Sequence, residues 1–142
     1  MISDHGTGPL ILALHRATHA TLGALQARLA DLDLTASEIN ALVNLAGGRA
    51  RRIGELAADT ATKPTTLTSV LDRLARRGYV VRQLDPADRR SFLVSLTADG
   101  RQAADAARAA VGDIERAVLA AITSTDLAGF QAVTHAIMEV LR

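Results

Sequence analysis

Thr65, Thr66, Thr68, Ser69 and Arg73 share the polar side of a short segment whose apolar residues, Leu67, Val70, Leu71 and Leu74, recur at helical spacing. Small hydroxyl side chains approach a surface closely and hydrogen-bond to base edges or to phosphate oxygens. One arginine among them, with almost no acid, suits the face to an anion. Lys63 stands at the start of the segment, where a phosphate backbone would run alongside. A polar helix face taken by itself is most often a solvated surface. Here a second basic feature follows at once, Asp88-Arg89-Arg90, at the tip of a hairpin. Such a tip is either an exposed turn with incidental ion pairs or a protruding cation suited to the negative potential of a narrow minor groove. A neighbouring aspartate is able to brace that arginine through a bidentate pair.

Other chemistries find little support. No metalloprotease motif, phosphate loop or nucleophile elbow is present, so no catalytic residue is assigned and the chain is read as not an enzyme. The absence of cysteine excludes disulfides, thiolate metal sites and a thiol redox switch within the chain. His15 and His19 lie four residues apart, a spacing able to hold a metal. They lack carboxylate or thiolate partners nearby, so a surface or interface pair is the favoured reading. His5 and His135 have no recognisable partner. No metal and no cofactor is expected.

Net charge is only +1 over 142 residues, and it conceals a division. Residues 49–90 hold ten Lys and Arg against five Asp and Glu; the rest of the chain holds six against ten. A basic centre between acidic flanks is what an anionic polymer partner would select. No apolar run approaches the roughly 18 residues of a membrane span. The opening Met1-Ile2-Ser3-Asp4 lacks the pattern of a secretory leader. A cytoplasmic location is the resulting expectation, with no membrane partner.

The elements that must position these residues follow from periodicity and punctuation. Leu10, Ile11, Leu14, Leu22, Leu25, Leu29 and Leu32, with Thr18 in the gap, predict an amphipathic first helix over 10–32. Thr35 and Glu38 form a capping box that opens a second helix, closed after about Ala46 by Gly47-Gly48. Residues 53–60 predict a short third helix without a clear N-cap. Pro64 suits the first turn of a fourth, which stops at Gly78. Residues 79–84 and 92–96 read as two strands joined by the charged loop Asp85 to Ser91. Thr97 caps a long fifth helix running to about Ile122, and Ser124 caps a sixth with the stripe Leu127, Phe130, Val133, Ile137 and Leu141. The fold class is thus mainly α with a small β-hairpin wing, a winged helix-turn-helix with long terminal helices. Its fourth helix has the size to enter the major groove of DNA.

The stretch from Leu67 to Gly100 resembles the MarR family of transcriptional regulators. The resemblance rests on Leu67 to Leu74, on Arg77-Gly78-Tyr79-Val80-Val81-Arg82, on Asp85-Pro86-Ala87-Asp88-Arg89-Arg90-Ser91 and on Leu96-Thr97-Ala98-Asp99-Gly100. It implies that the helix at 64–77 reads the major groove, that Arg90 enters the minor groove, that Asp88 helps to position it, and that Asp72 pairs with a wing arginine. Lys63, Thr65, Thr66, Thr68, Ser69, Arg73, Asp88, Arg89 and Arg90 are the expected DNA-binding set. One MarR-type domain over 1–142 is expected, with residues 35–97 as the double-stranded-DNA-binding lobe and 8–32 and 98–142 as dimerisation helices.

The first, fifth and sixth helices are also longer and more apolar than a small winged helix needs, which agrees with a homodimer on a palindromic site. A repressor released by a small, often aromatic or phenolic anion is what the resemblance implies. No residue identifies that effector or its pocket. A helical interaction module without a DNA role is the remaining alternative, and the wing and basic centre weigh against it.

Overall fold

The computed structural model describes residues 9–142, so the readings made on Met1 to Asp4, on His5 and on residue 8 lie outside it. Within it the element order is α1 (Leu10–Arg28), α2 (Ala36–Leu45), β1 (Arg51–Arg52), α3 (Ile53–Asp59), α4 (Pro64–Arg76), β2 (Val80–Asp85), β3 (Asp88–Leu96), α5 (Ala98–Leu119) and α6 (Ser124–Val140). The chain separates into two compact units, divided after Ala110 within α5.

The first unit carries the core. Leu42, Leu45, Leu56, Leu67, Leu71, Leu74 and Val94 are its largest fully buried side chains. The leucines come from one face each of α2, α3 and α4, and Val94 closes the cluster from β3. Ala103, Ala104 and Ala107 are buried where α5 begins, and their small size lets that helix lie close. The sheet has the order β1-β3-β2, antiparallel throughout. The strand β1 escapes sequence reading because two residues show no alternation. It pairs Arg51 with Val94 and Arg52 with Leu93. Arg52 is also the N-cap residue of α3 and makes no side-chain cap bond, which explains why none was legible.

Three boundaries differ from expectation. The first helix ends at Arg28, and residues 30–32 form a separate 3₁₀ turn closed by Asp33 at φ 48°. Leu29 and Leu32 still pack on the core, so the apolar spacing outlasts the helix. The fifth helix ends at Leu119, three residues before Ile122. The sixth is capped by Thr123, not Ser124. The Thr123 hydroxyl accepts from the Asp126 amide at 3.1 Å, and the Asp126 carboxylate accepts from the Thr123 amide at 2.9 Å. These donors from Thr123, amide and hydroxyl, hold the Asp126 carboxyl below its ordinary pKa.

The turn between α3 and α4 and the turn after α4 share one design. After α4, Tyr79 N–H donates to Leu74 and Gly78 N–H to Ala75. After α3, Thr62 N–H donates to Ala57 and Ala61 N–H to Ala58. Both are Schellman caps, which require a left-handed residue and favour glycine there. Gly78 meets that need at φ 77°, whereas Ala61 occupies it at φ 51°. A left-handed L-residue costs roughly 1–2 kcal/mol. Ala61→Gly is therefore expected to raise stability by about 1 kcal/mol, read as a higher urea midpoint at unchanged m. A fall in midpoint would mean that the Ala61 methyl makes contacts that outweigh its strain.

The second unit comprises the end of α5 and α6. No residue of α6 is buried, and Phe130, Met138, Val140 and Leu141 are well exposed. In the first unit, α1 likewise has no buried residue and exposes Leu10, Ile11 and Leu12.

Candidate nucleic-acid interface

The helix α4 buries Leu67, Val70, Leu71 and Leu74 and leaves Pro64, Thr65, Thr66, Thr68 and Ser69 exposed. Its N-cap, Lys63, makes no side-chain cap bond, so the free N–H groups of the first turn face outward with the positive end of the helix dipole. Thr68 donates its hydroxyl proton to the Pro64 carbonyl at 2.9 Å. Outwardly it offers only lone pairs and a methyl group. Thr65, Thr66 and Ser69 have no side-chain partner among the described residues and keep both donor and acceptor capacity.

Five of the ten cations in residues 49–90 are neutralised by ion pairs. Arg51 meets Glu55 and Asp59, and Arg52 meets Asp85 at 2.9 Å. Arg73 and Arg77 both face Glu38, and Arg82 meets Asp72 at 2.6 Å. The remaining five, Arg49, Lys63, Arg76, Arg89 and Arg90, have no acidic partner among the described residues. The excess positive charge in the sequence is thus located on particular side chains, and three of them belong to the expected DNA-binding set. Sequence reading missed Arg49 and Arg76. Arg49 has no acid at helical or turn spacing in the sequence, whereas Arg76 stands four residues after Asp72 on α4, a spacing that suggests a pair until the fold gives Asp72 to Arg82 instead.

The hairpin is tighter than the seven-residue loop expected, since strand pairing runs to Asp85 and Asp88 and leaves Pro86-Ala87 as the turn. Leu84 pairs with Phe92, yet the next residue, Asp85, pairs with Asp88. Arg89, Arg90 and Ser91 therefore have no opposite residue and form a bulge, a device that redirects side chains. Two aspartates hold it. Asp85 accepts from Ala87 N–H at 2.9 Å, and Asp88 accepts from Arg90 N–H at 3.1 Å and from the Ser91 hydroxyl at 3.3 Å. Asp88 thus braces the backbone of Arg90 and not its guanidinium, because an aspartate reaches the amide two residues on more readily than an extended side chain. Asp72 does pair with a wing arginine, Arg82 on β2, tying the hairpin to α4.

A cavity of about 390 Å³ lies beside Leu32, Arg77, Tyr79, Asp99, Gln102, Ala103 and Ala106. His15, His19 and His135 are exposed, and among the described residues no group of three or more ligating side chains converges.

The profile of the MarR family matches residues 32–91. An HTH-type transcriptional repressor of Mycobacterium tuberculosis is 32% identical over 116 residues, covering 82% of this chain and 84% of the relative. The chain belongs to the MarR family. Family and relatives are transcription regulators and not enzymes. The chain spans about half the length of the mycobacterial HTH-type regulators that it matches at 38% identity over 74 residues. Among solved structures, a MarR variant of Escherichia coli in complex with operator DNA is 26% identical, with a TM-score of 0.77, over 91% of this chain and 93% of that one. BpsR of Bordetella bronchiseptica, whose DNA binding is regulated by 6-hydroxynicotinic acid, is 25% identical with a TM-score of 0.78, over 94% and 96%. The MarR winged helix is here α2, α3 and α4 with the β1-β3-β2 sheet. No helix among the described residues is long and apolar enough to cross a membrane.

Proposed function

We propose that this chain is a cytoplasmic, sequence-specific repressor that binds a palindromic operator as a homodimer and is released by a small-molecule effector. The observation that carries it is the arrangement of the first unit. An acid-poor hydroxyl face on α4 stands with five cations that have no acidic partner among the described residues, two of them displayed on a bulged wing. Lys63, Thr65, Thr66, Thr68, Ser69 and Arg73 read or clamp DNA from the helix, and Arg89 and Arg90 from the wing, with Asp88 shaping it. Residues 35–97 form the DNA-binding lobe; 8–32 and 98–142 supply the dimer contacts. The exposed Leu10, Ile11 and Leu12 of α1 support that division, as do Phe130 and Met138 of α6 and Leu141 just after it. Burying a leucine-sized side chain is worth about 1.5–3 kcal/mol.

The operator reading draws on the DNA complex of the E. coli relative, and the effector reading on BpsR. The cavity beside Arg77 and Tyr79 has the size for one small ring compound and a guanidinium at its wall.

The helix is tested by alanine at Thr65, Thr66, Thr68 and Ser69, singly and together. Each is expected to reduce the ratio of operator to random-duplex affinity, by about 1–3 kcal/mol for a residue bonded to a base edge. A ratio that survives the combined substitution would make α4 a backbone clamp only.

A further inference from the structure

Among the described residues Glu38 is the one buried carboxylate of the helices, with its side chain about 5% exposed, and the two cations that face it are Arg73 of α4 and Arg77, the C-cap of that helix. It sits at the third position of α2, where it accepts from the Thr35 amide at 3.4 Å while the Thr35 hydroxyl accepts from the Glu38 amide. That capping box explains a glutamate at this position, but not its burial. A buried carboxylate needs cations, and it fixes whatever supplies them.

The two arginines are not equivalent. Arg77 is tied down on several sides: its guanidinium donates to the carbonyls of Asp33 and Leu32, faces Glu38 at 3.6 Å and lies over the Tyr79 ring at 5.1 Å. Arg73 approaches Glu38 with its Nε, at 3.7 Å. That Nε is sealed from solvent without a hydrogen bond, while the side chain as a whole stays 42% exposed. The two Nη nitrogens make no hydrogen bond among the described residues. A guanidinium is a planar fork, so one edge can rest on a buried acid while the other presents donors to a phosphate or a base edge.

We propose that Glu38 is a positioning residue for DNA recognition: it acts through the Nε edge of Arg73 to hold the outer edge of that guanidinium toward DNA. The proposal rests on the reading that Arg73 contacts DNA. It assigns to a buried residue of α2 an effect on binding that none of the surface features reveals. Arg77 serves as the fixed counter-ion that lets the acid stay buried when Arg73 engages DNA.

A double-mutant cycle on the full-length protein separates these claims. The probe is a duplex selected by the wild-type protein from a random pool, compared with unselected duplex at matched salt. Glu38→Gln keeps a neutral acceptor for the Thr35 amide but removes the charge. The expected result is that Arg73→Ala and Glu38→Gln each lower selective affinity about tenfold, and that Glu38→Gln has no further effect once Arg73 is alanine. No loss in Arg73→Ala would overturn the Arg73 reading, and the proposal with it. Loss in Arg73→Ala but none in Glu38→Gln would overturn the proposal alone, as would equal losses from Glu38→Gln with and without Arg73.

A purely structural role for Glu38 would move the melting temperature in every background and leave the cycle without coupling. Should Glu38→Gln not fold, Arg73→Lys provides an independent arm. Lysine keeps the charge but has no second edge, so the salt dependence of binding should stay while selectivity falls to the level of Arg73→Ala. Wild-type selectivity in Arg73→Lys would overturn the proposal.

Discussion

Arg90→Ala is expected to weaken operator binding by about 1–3 kcal/mol while leaving the fold intact. Arg90 lies on the exposed bulge of β3, opposite no residue of β2, and makes no ion pair among the described residues. Its side chain therefore contributes nothing visible to folding and is free for DNA. Its backbone is held in advance by Asp88, so little ordering remains to be done on binding. Arg52 is the contrasting case. It lies in the same sheet but neutralises Asp85, whose side chain is 6% exposed. Arg52→Ala should therefore lower stability, because it strands a buried carboxylate. Fluorescence anisotropy with a labelled operator, alongside urea denaturation, distinguishes the two. Unchanged affinity in Arg90→Ala would remove the wing from the DNA interface.

Gly100→Ala is expected to be the most damaging small substitution in the first unit. A Cβ at position 100 would lie 1.8 Å from the Tyr79 carbonyl oxygen and 2.7 Å from its carbon, so backbone would have to move. The same carbonyl accepts from the Thr97 amide at 3.0 Å, and the Thr97 hydroxyl accepts from the Gly100 amide at 3.0 Å. These bonds fix the start of α5 against the start of β2. Forcing them apart adds lost hydrogen bonds to overpacking, and a cost of about 3 kcal/mol follows. Gly54, in α3, meets nothing within 4 Å, and Gly54→Ala should instead gain about 0.5–1 kcal/mol. Denaturation midpoints of the two variants test the contrast. A Gly100→Ala protein as stable as the wild type would show that the junction relaxes freely.

The parts legible in the sequence were those written in local signals. The leucines of α4, its Pro64 and its closing Gly78 defined a helix of nearly the observed length. The strands on either side of the charged loop declared themselves by β-branched residues and alternation. What stayed hidden depended on partners distant in sequence. Two residues of β1 carry no period, and their strand exists only because β3 is beside them. Glu38 was legible as half of a capping box, while its burial against Arg73 and Arg77 was not. The charge excess of residues 49–90 was visible as a total. Its division into paired and unpaired cations needed the fold, which brings Asp72 to Arg82 and Asp85 to Arg52. The same holds for Asp88, whose place beside Arg90 suggested a side-chain pair although its carboxylate turned to the backbone.

The most direct test of the account is the salt dependence of binding to a selected duplex. Among the described residues Arg49, Lys63, Arg76, Arg89 and Arg90 have no acidic partner, and the proposed homodimer would bring two such sets. Each neutralised phosphate contributes about −0.9 to the slope of log affinity against log salt. A dimer engaging all of these side chains should give a slope near −9, and one protomer alone a slope near −4.5. A steep slope at the larger value, with a dimer mass by light scattering at the same concentrations, is the expected result. Binding with a slope shallower than about −2, or no binding at low salt, would contradict it.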